Sequence, residues 1–245
     1  MKLKKDVLYC GDRDLTSGAA YLGGIMDYFD ISFDHVPMHE SLPEELIDRE
    51  YKLFLLSDYP SENIPERAVQ NLTAKVKQGA SLLMIGGWES FHGLVGNYHT
   101  SELAQVLPVI CLEEDDRVNY CQGLIPEVTT ANEITADLPW NEPFIFCGYN
   151  RVKPKTDSTV VLSLRKLKIL DSETSLDEQR APMLVVGSFG SGKTGALTTD
   201  VAPHWSGGMV DWGTERIKAQ AEGGIAIEVG KDYALFIKNL IRYFL

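Results

Sequence analysis

The sequence is short of cations, cysteines and long apolar runs. Lys and Arg number 23 against 35 Asp and Glu, giving a formal net charge of −12 and a pI near 4.9. A field of that sign repels polyanions and argues against nucleic-acid binding through phosphate neutralisation. No apolar run approaches the roughly 18–20 residues of a membrane span. No basic amphipathic stretch suits a membrane surface. The start, Met1 to Lys5, is basic, but the apolar run Val7–Cys10 stops at Gly11-Asp12-Arg13-Asp14. That is too short for a signal-peptide core, so a cytoplasmic location is expected. Cys10, Cys111, Cys121 and Cys147 form no C-x-x-C pair, and H-E-x-x-H is missing. No zinc pattern, other metal site or cofactor is expected. The cysteines read as reduced thiols behaving as small buried hydrophobes.

What is present is ordinary globular material: 245 residues, 44% hydrophobic, with 21 Gly and 11 Pro. The length suits one large α/β domain, and no linker or internal repeat is evident. Val7–Gly11, Tyr51–Asp58 and Ser81–Ile85 are apolar runs closed by polar or Gly residues, the pattern of buried strands. Ile31–Val36 is a weaker strand. Ser17–Phe29 and Pro65–Gln78 are helical in pattern, the second with Pro in its first turn and Gly79 just beyond its end. Leu42–Leu46 is a helical turn, and Asp232–Phe244 a final amphipathic helix. This βαβαβ rhythm predicts a parallel sheet covered on both faces. Ligands of such sheets bind beyond the carboxyl ends of the strands. Cys10–Arg13, Asp58-Tyr59 and Gly86–His92 fall on that rim. Residues 107–160 change character, with Pro108, Pro126, Pro139, Pro143 and Pro154 between short strands. Thr159–Leu164, Leu167–Leu170, Met183–Phe189 and Thr194–Thr199 are further strands, with Asp171–Arg180 read as a charged mobile loop.

Gly187–Thr194 satisfies G-x-x-x-x-G-K-[ST], the phosphate-binding P-loop pattern. That loop needs a strand before it and a helix after it. Gly195–Pro203 has the composition of a strand, so Gly190-Ser191-Gly192-Lys193 is read as a hairpin turn.

Gly86-Gly87-Trp88-Glu89-Ser90-Phe91-His92 continues a strand into a sharp turn of the kind that exposes a nucleophile in α/β hydrolases and amidotransferases. Ser90 is the candidate nucleophile, with His92 or His204 as base. The alternative is that Gly86 and Gly87 permit close backbone approach and Ser90 caps a turn. Asp115-Asp116-Arg117 comes after a strand; Asp–Arg pairing within the loop competes with a site role for Asp116. Asp200 and Pro203-His204-Trp205 end another strand with a carboxylate, an imidazole and an indole. Asn150 and Arg151 are donors that reach a ligand or pair with Asp116 or Asp200.

Taken together, several pieces resemble the putative glutamine amidotransferase family, proteins with a class I glutamine amidotransferase-like domain. They are Val7–Gly11, Leu55–Asp58, Leu83–Phe91, Leu107–Val109 with Asp115–Arg117, Gly148–Arg151, Leu184–Gly187 with Gly190 and Gly192-Lys193, and Asp200 with Pro203–Trp205. More distantly the chain is similar to trehalose-utilisation-type proteins. The resemblance implies a flavodoxin-like three-layer α/β sandwich with a mainly parallel central sheet, plus a β-rich elaboration over about 107–200. It also implies a hairpin at the P-loop mimic. Class I amidotransferases use a Cys nucleophile at the elbow and a His plus Glu near the C-terminus. Here the elbow is Gly86-Gly87-Trp88, His204 lies near the expected His without the usual Glu, and Cys10 is on another strand end. The activated thiolate has no candidate.

The leading expectation is a domain that binds a small polar metabolite at the strand ends. Its wall candidates are Gly86, Gly87, Trp88, Arg117, Asn150, Arg151 and Trp205, with Ser90, Asp116 and His204 for any chemistry. A second reading is a hydrolase using Ser90 or water. A third is a homo-oligomer that buries Trp88, Trp140, Trp205 and Trp212 between subunits.

Overall fold

A computed structural model describes residues 5–142 and 144–245; the basic start Met1–Lys4 and Pro143 lie outside the described residues. In chain order the elements are β1 (Val7–Gly11), α1 (Ala20–Tyr28), β2 (Phe33–Val36), α2 (Glu44–Ile47), β3 (Leu53–Ser57), α3 (Glu66–Lys77), β4 (Ser81–Ile85) and α4 (Leu103–Val106). Then come β5 (Val109–Cys111), β6 (Arg117–Val128), β7 (Phe146–Asn150), β8 (Val152–Pro154), β9 (Thr159–Leu170), β10 (Glu173–Phe189) and β11 (Gly192–Leu197). The chain closes with α5 (Pro203–Ser206), β12 (Arg216–Ala219), β13 (Ile227–Gly230) and α6 (Lys231–Phe244).

Nine strands form one sheet in the order β2-β1-β3-β4-β11-β10-β9-β6-β7. The first five run parallel; from β11 onward every neighbour is antiparallel. The sheet is therefore mixed, and most of the β-rich segment is the second half of the same sheet; β5 and β8 pair separately with each other. Strands β1, β3 and β4 are buried at every position, as continuous apolar runs in a doubly covered sheet must be. Alternate residues feed two cores. Val7, Tyr9, Leu53 and Leu55 pack with α1 and α6, while Leu8, Cys10, Phe54 and Leu56 pack with α2, α3 and α4.

The segment Asp171–Arg180 is not a loop. Only Asp171 and Ser172 turn, both with positive φ, and β10 returns along β9 from Glu173↔Leu170 onward. Two of its charges are paired across strands: Arg180 meets Glu127, which also holds Arg165, and Asp177 meets Lys168. Charge had masked strand pairing on a face that meets solvent. At Gly187–Thr194 the chain is a two-residue hairpin, with Ser188↔Lys193 and Phe189↔Gly192 paired and Gly190 at φ +61°. Lys193 is spent on the Tyr243 carbonyl, 2.6 Å away.

Cys10 and Cys111 are buried as expected, but Cys121 and Cys147 are exposed; all four are free. Trp205 and Trp212 are buried in the chain itself, and Trp140 packs on Phe144, Phe236 and Trp212. That removes three of the four tryptophans from the expected subunit interface. Among the described residues no helix is long and apolar enough to cross a membrane.

Candidate functional site

The carboxyl ends of β1, β3, β4 and β11 lie side by side, and the residues just past each strand build a cavity of about 360 Å³. β1 ends in Gly11 and then Asp12; β3 ends in Ser57 and then Asp58. Both aspartates sit in the left-handed region, at φ +53° and +49°, a conformation short polar side chains tolerate. After β11 come Thr198, Thr199 and Asp200. Asp200 Oδ1 accepts the N–H groups of Val201 and Ala202 at 2.6 and 2.9 Å, turning the chain into α5. That turn carries His204 to the cavity mouth, its Nδ1 3.9 Å from Asp200 Oδ2. Trp88 completes the wall, edge-on to His204 with ring centroids 5.3 Å apart. Arg13, Met38 and Glu89 also line the cavity.

β4 leaves room because its tip has no side chains. A Cβ on Gly86 would lie 2.4 Å from the Thr198 carbonyl oxygen, and one on Gly87 the same distance from Asp58 Oδ1. Neither elbow position accepts a side chain of any kind. Asn150 fixes the turn: its Oδ1 accepts from Gly87 N–H at 2.9 Å, and its Nδ2 donates to the Gly87 carbonyl at 3.0 Å and to Asp116 Oδ1 at 2.8 Å. Asp116 also accepts the N–H groups of His92 and Gly93. Asp116 and Asn150 are thus a buried clamp behind the turn.

Burial and mutual repulsion raise the proton affinity of the strand-end acids. Asp12 is pushed up to about 7 by burial and by Asp58, although Tyr9 donates its hydroxyl to Asp12 and pulls the other way. Asp58 is raised by burial against the pull of the Glu89 N–H and of His204. Asp200 is raised strongly, by burial and then by Asp12. Glu89 is raised by burial and by Asp58. Burial also keeps the Cys10 thiol protonated and inert.

Several expectations change. Ser90 is 1% exposed, donates to the Ile85 carbonyl at 2.5 Å and accepts from Asp58 N–H at 3.0 Å. No base is bonded to it, so it ties the turn rather than attacking a substrate. His92 faces His99, Nδ1 to Nδ1 at 3.2 Å, not Ser90. Arg117 makes two bonds to Asp115 and lies 4.7 Å over Trp88, holding the indole from behind. Arg151 turns away from Asp116 and Asp200: its guanidinium reaches the Asp115 carbonyl and Glu114. Trp205 is buried and donates to Asn119. Of the expected residues, Trp88 and His204 line the cavity with Asp200, while Gly86, Gly87, Ser90, Asp116 and Asn150 shape it. Asp12, Arg13, Asp58 and Glu89, which the strand pattern put on the rim without singling them out, also line it. For Asp12 and Asp58 the signal was a carboxylate directly after an apolar strand. Among the described residues no group of three or more His, Cys, Asp or Glu is placed to hold a metal ion.

A second cavity, about 400 Å³, sits at the opposite ends of β3 and β4. Of its lysines, Lys52 pairs with Asp6, and Lys75 and Lys193 are committed to backbone carbonyls of Ile47, Arg49 and Tyr243, leaving little to grip a ligand.

The profile of the family described as "Putative glutamine amidotransferase" matches residues 14–217. The chain belongs to this family. No curated protein matches it. Among solved structures it is similar to Cytoplasmic Protein STM1381 from Salmonella typhimurium LT2, at 25% identity and TM-score 0.75, covering 98% of this chain and 99% of that one. It shares its fold with Cytoplasmic Protein STM3548 from Salmonella typhimurium, at 24% identity and TM-score 0.74 over 97% and 98% of the two chains. A thua-like protein from Bacteroides uniformis shares the fold at 12% identity and TM-score 0.57, over 100% and 93%. The amidotransferase family resemblance read from the motifs is thereby established.

Proposed function

We propose that this family member binds a small polar metabolite at the carboxyl ends of its parallel strands and does not hydrolyse glutamine through a thiolate. One observation carries the reading: three carboxylates from three separate strand ends converge in one cavity walled by Trp88 and His204. Acids with raised proton affinity gathered in a cleft mark functional sites more often than chance. The elbow of the amidotransferase mechanism is closed here, because Gly86 and Gly87 have no space for a nucleophile. A flavodoxin-like three-layer arrangement belongs to the same reading, supported by the packing of α1 and α6 on one face of the sheet and of α2 to α4 on the other. A cytoplasmic setting is consistent with the names of the two Salmonella proteins.

A thermal-shift screen tests the reading, using amino acids, nucleotides, sugars, phosphates and divalent ions on wild type and His204→Ala. A ligand that binds only the folded state raises Tm by mass action. A hit lost in His204→Ala supports the pocket; hits that survive the substitution unchanged place binding elsewhere.

His204 beside Asp200 favours a second reading, a hydrolase in which His204 activates water. Ester or amide hydrolysis that persists in Ser90→Ala and vanishes in His204→Ala supports it. Activity indifferent to His204 removes it.

A further inference from the structure

The strand-end cavity has an unbalanced charge pattern. Asp12, Asp58, Asp200 and Glu89 line it, while Arg13 and the imidazole of His204 are both exposed at the rim. His204 stays 3.9 Å from Asp200, and Arg13 forms no ion pair among the described residues. Polar atoms are also left over. Asp12 and Asp200 are 7% and 5% exposed, and each has only one oxygen engaged: Asp12 Oδ2 by Tyr9, Asp200 Oδ1 by two backbone N–H groups. Asp200 Oδ2 has no hydrogen-bond partner among the described residues, and the wholly buried Ser57 Oγ, set against Asp12, has none beyond that carboxylate. Folded chains seldom leave buried polar atoms idle, and a ligand is one reason they do.

We propose that this cavity is an ammonium site, taking the primary-amine end of a small cationic metabolite with Asp12, Asp58 and Asp200 as its acceptors. The proposal rests on the pocket reading above. An ammonium group brings one positive charge and three N–H donors, matching three carboxylates presented from three strand ends. Charge-assisted bonds of this kind are the strong ones. The half-exposed indole of Trp88 adds a π surface that favours a cation. An anion would meet four carboxyl groups. A neutral polyol would leave their mutual repulsion in place. A divalent ion needs several ligands gathered around one point, which the described residues do not supply.

The remainder of the ligand has somewhere to lie. Arg13, Met38 and Glu89 are shared with an adjoining cavity of about 620 Å³ that also touches Asp14, Glu62 and Asn63. Binding is coupled to protons. Tyr9 and Tyr233 lie against the acids from below, and Glu89, Arg13 and His204 surround them. Burial and mutual repulsion hold these acids above the usual carboxylate range, so an arriving ammonium, which favours their charged forms, releases protons to solvent.

The experiment is calorimetry and thermal shift on the full chain at pH 7, in two buffers of different ionisation enthalpy. The probes are ethanolamine and 1,4-diaminobutane, against glycerol and inositol, and against acetate and phosphate. Both amines raise Tm and bind with net proton release, seen as a buffer-dependent heat. Asp200→Asn and Asp58→Asn each weaken amine binding about tenfold or more, the loss of a hydrogen bond to a charged group. Both variants are isosteric and relieve buried repulsion, so they melt at or above the wild-type temperature. Amine binding without proton release, or indifferent to both substitutions, overturns the proposal. Stabilisation by polyols or anions alone overturns it too, but leaves the pocket reading standing. Silence from every probe overturns both.

Discussion

Gly87 and Asp58 approach so closely that a single methyl group cannot be placed between them. A Cβ on Gly87 would lie 2.4 Å from Asp58 Oδ1 and 3.0 Å from Asp58 Cβ. Asp58 is in turn held by the Glu89 N–H, 2.5 Å away, and by the Ser90 hydroxyl on its own N–H. Gly87→Ala therefore pushes the carboxylate out of the cavity or the turn away from it. The expected cost is about 1–3 kcal/mol, the range for overpacking a filled site. Ligand-induced stabilisation is expected to disappear with it. Urea midpoints with and without a screening hit check both effects.

The strand-end acids make stability fall as pH rises through neutrality. The folded chain holds the Asp12 proton up to about pH 7, whereas an unfolded aspartate releases it near pH 4. Between those values the folded state binds more protons than the unfolded one. The stabilisation is full below about pH 4 and is lost as pH rises through 7. Asp58, Asp200 and Glu89 act in the same direction. Half-buried His35, lowered by desolvation, acts oppositely over the acidic part of the window. Comparing wild type with Asp12→Asn isolates one group. The stability difference should swing toward the variant by up to about 4 kcal/mol between pH 4 and pH 8. Parallel profiles for the two proteins would show that Asp12 titrates normally.

Much of the parallel half was legible in the sequence because each element there carries a local signal. β4 falls at Ser81–Ile85 as read, and α3 lies within the predicted Pro65–Gln78 with Ala68, Val69, Leu72 and Val76 buried on one face. The antiparallel half was harder. β9 was read in two pieces, Thr159–Leu164 and Leu167–Leu170, and the end of β10 as Met183–Phe189, but the charged, exposed start of β10 was not, because neither alternation nor hydrophobicity marks it. The site was legible in outline only. Trp88 and His204 announce themselves as unusual residues at strand ends. Asp200 was read with His204, but Asp12 and Asp58 were placed on the rim only as parts of longer segments, because each alone resembles an ordinary polar strand terminator. The sheet order is what brings positions 12, 58 and 200 into one cavity.

Asn150 bonds to three partners at the elbow and is fully buried. Asn150→Ala leaves Gly87 N–H, the Gly87 carbonyl and Asp116 short of a partner together. A loss on the order of 3 kcal/mol is expected, since each buried orphan costs about 1–3 kcal/mol. Asn150→Asp should be worse at neutral pH, because it replaces the donor with an acceptor facing Asp116. Ser90→Ala removes only one hydroxyl and should cost about 1–2 kcal/mol. Chemical denaturation should therefore find Asn150→Asp the least stable, Asn150→Ala next and Ser90→Ala the mildest. A Ser90→Ala loss exceeding that of Asn150→Ala would refute the clamp.

The hairpin at 187–194 gives a prediction that separates pattern from physics. A working P-loop requires Gly192, Lys193 and the residues after them to open a helix whose N–H groups face phosphate. Here Gly192 to Leu197 is strand β11, paired to β4 on one side and β10 on the other. Its N–H groups are engaged in the ladder, and Lys193 donates to the Tyr243 carbonyl while lying 4.3 Å over the Tyr243 ring. MgATP should leave Tm unchanged in wild type and in Lys193→Ala alike. Gly190→Ala behaves differently. Its φ of +61° disfavours a side chain, and a Cβ there would lie 2.5 Å from the Lys77 carbonyl oxygen. The left-handed conformation costs an L-residue roughly 1–2 kcal/mol, and the clash adds to it. Gly190→Ala should therefore lower Tm clearly, with Lys193→Ala causing the smaller shift. Saturable MgATP binding abolished by Lys193→Ala would show instead that the motif works as its spelling suggests.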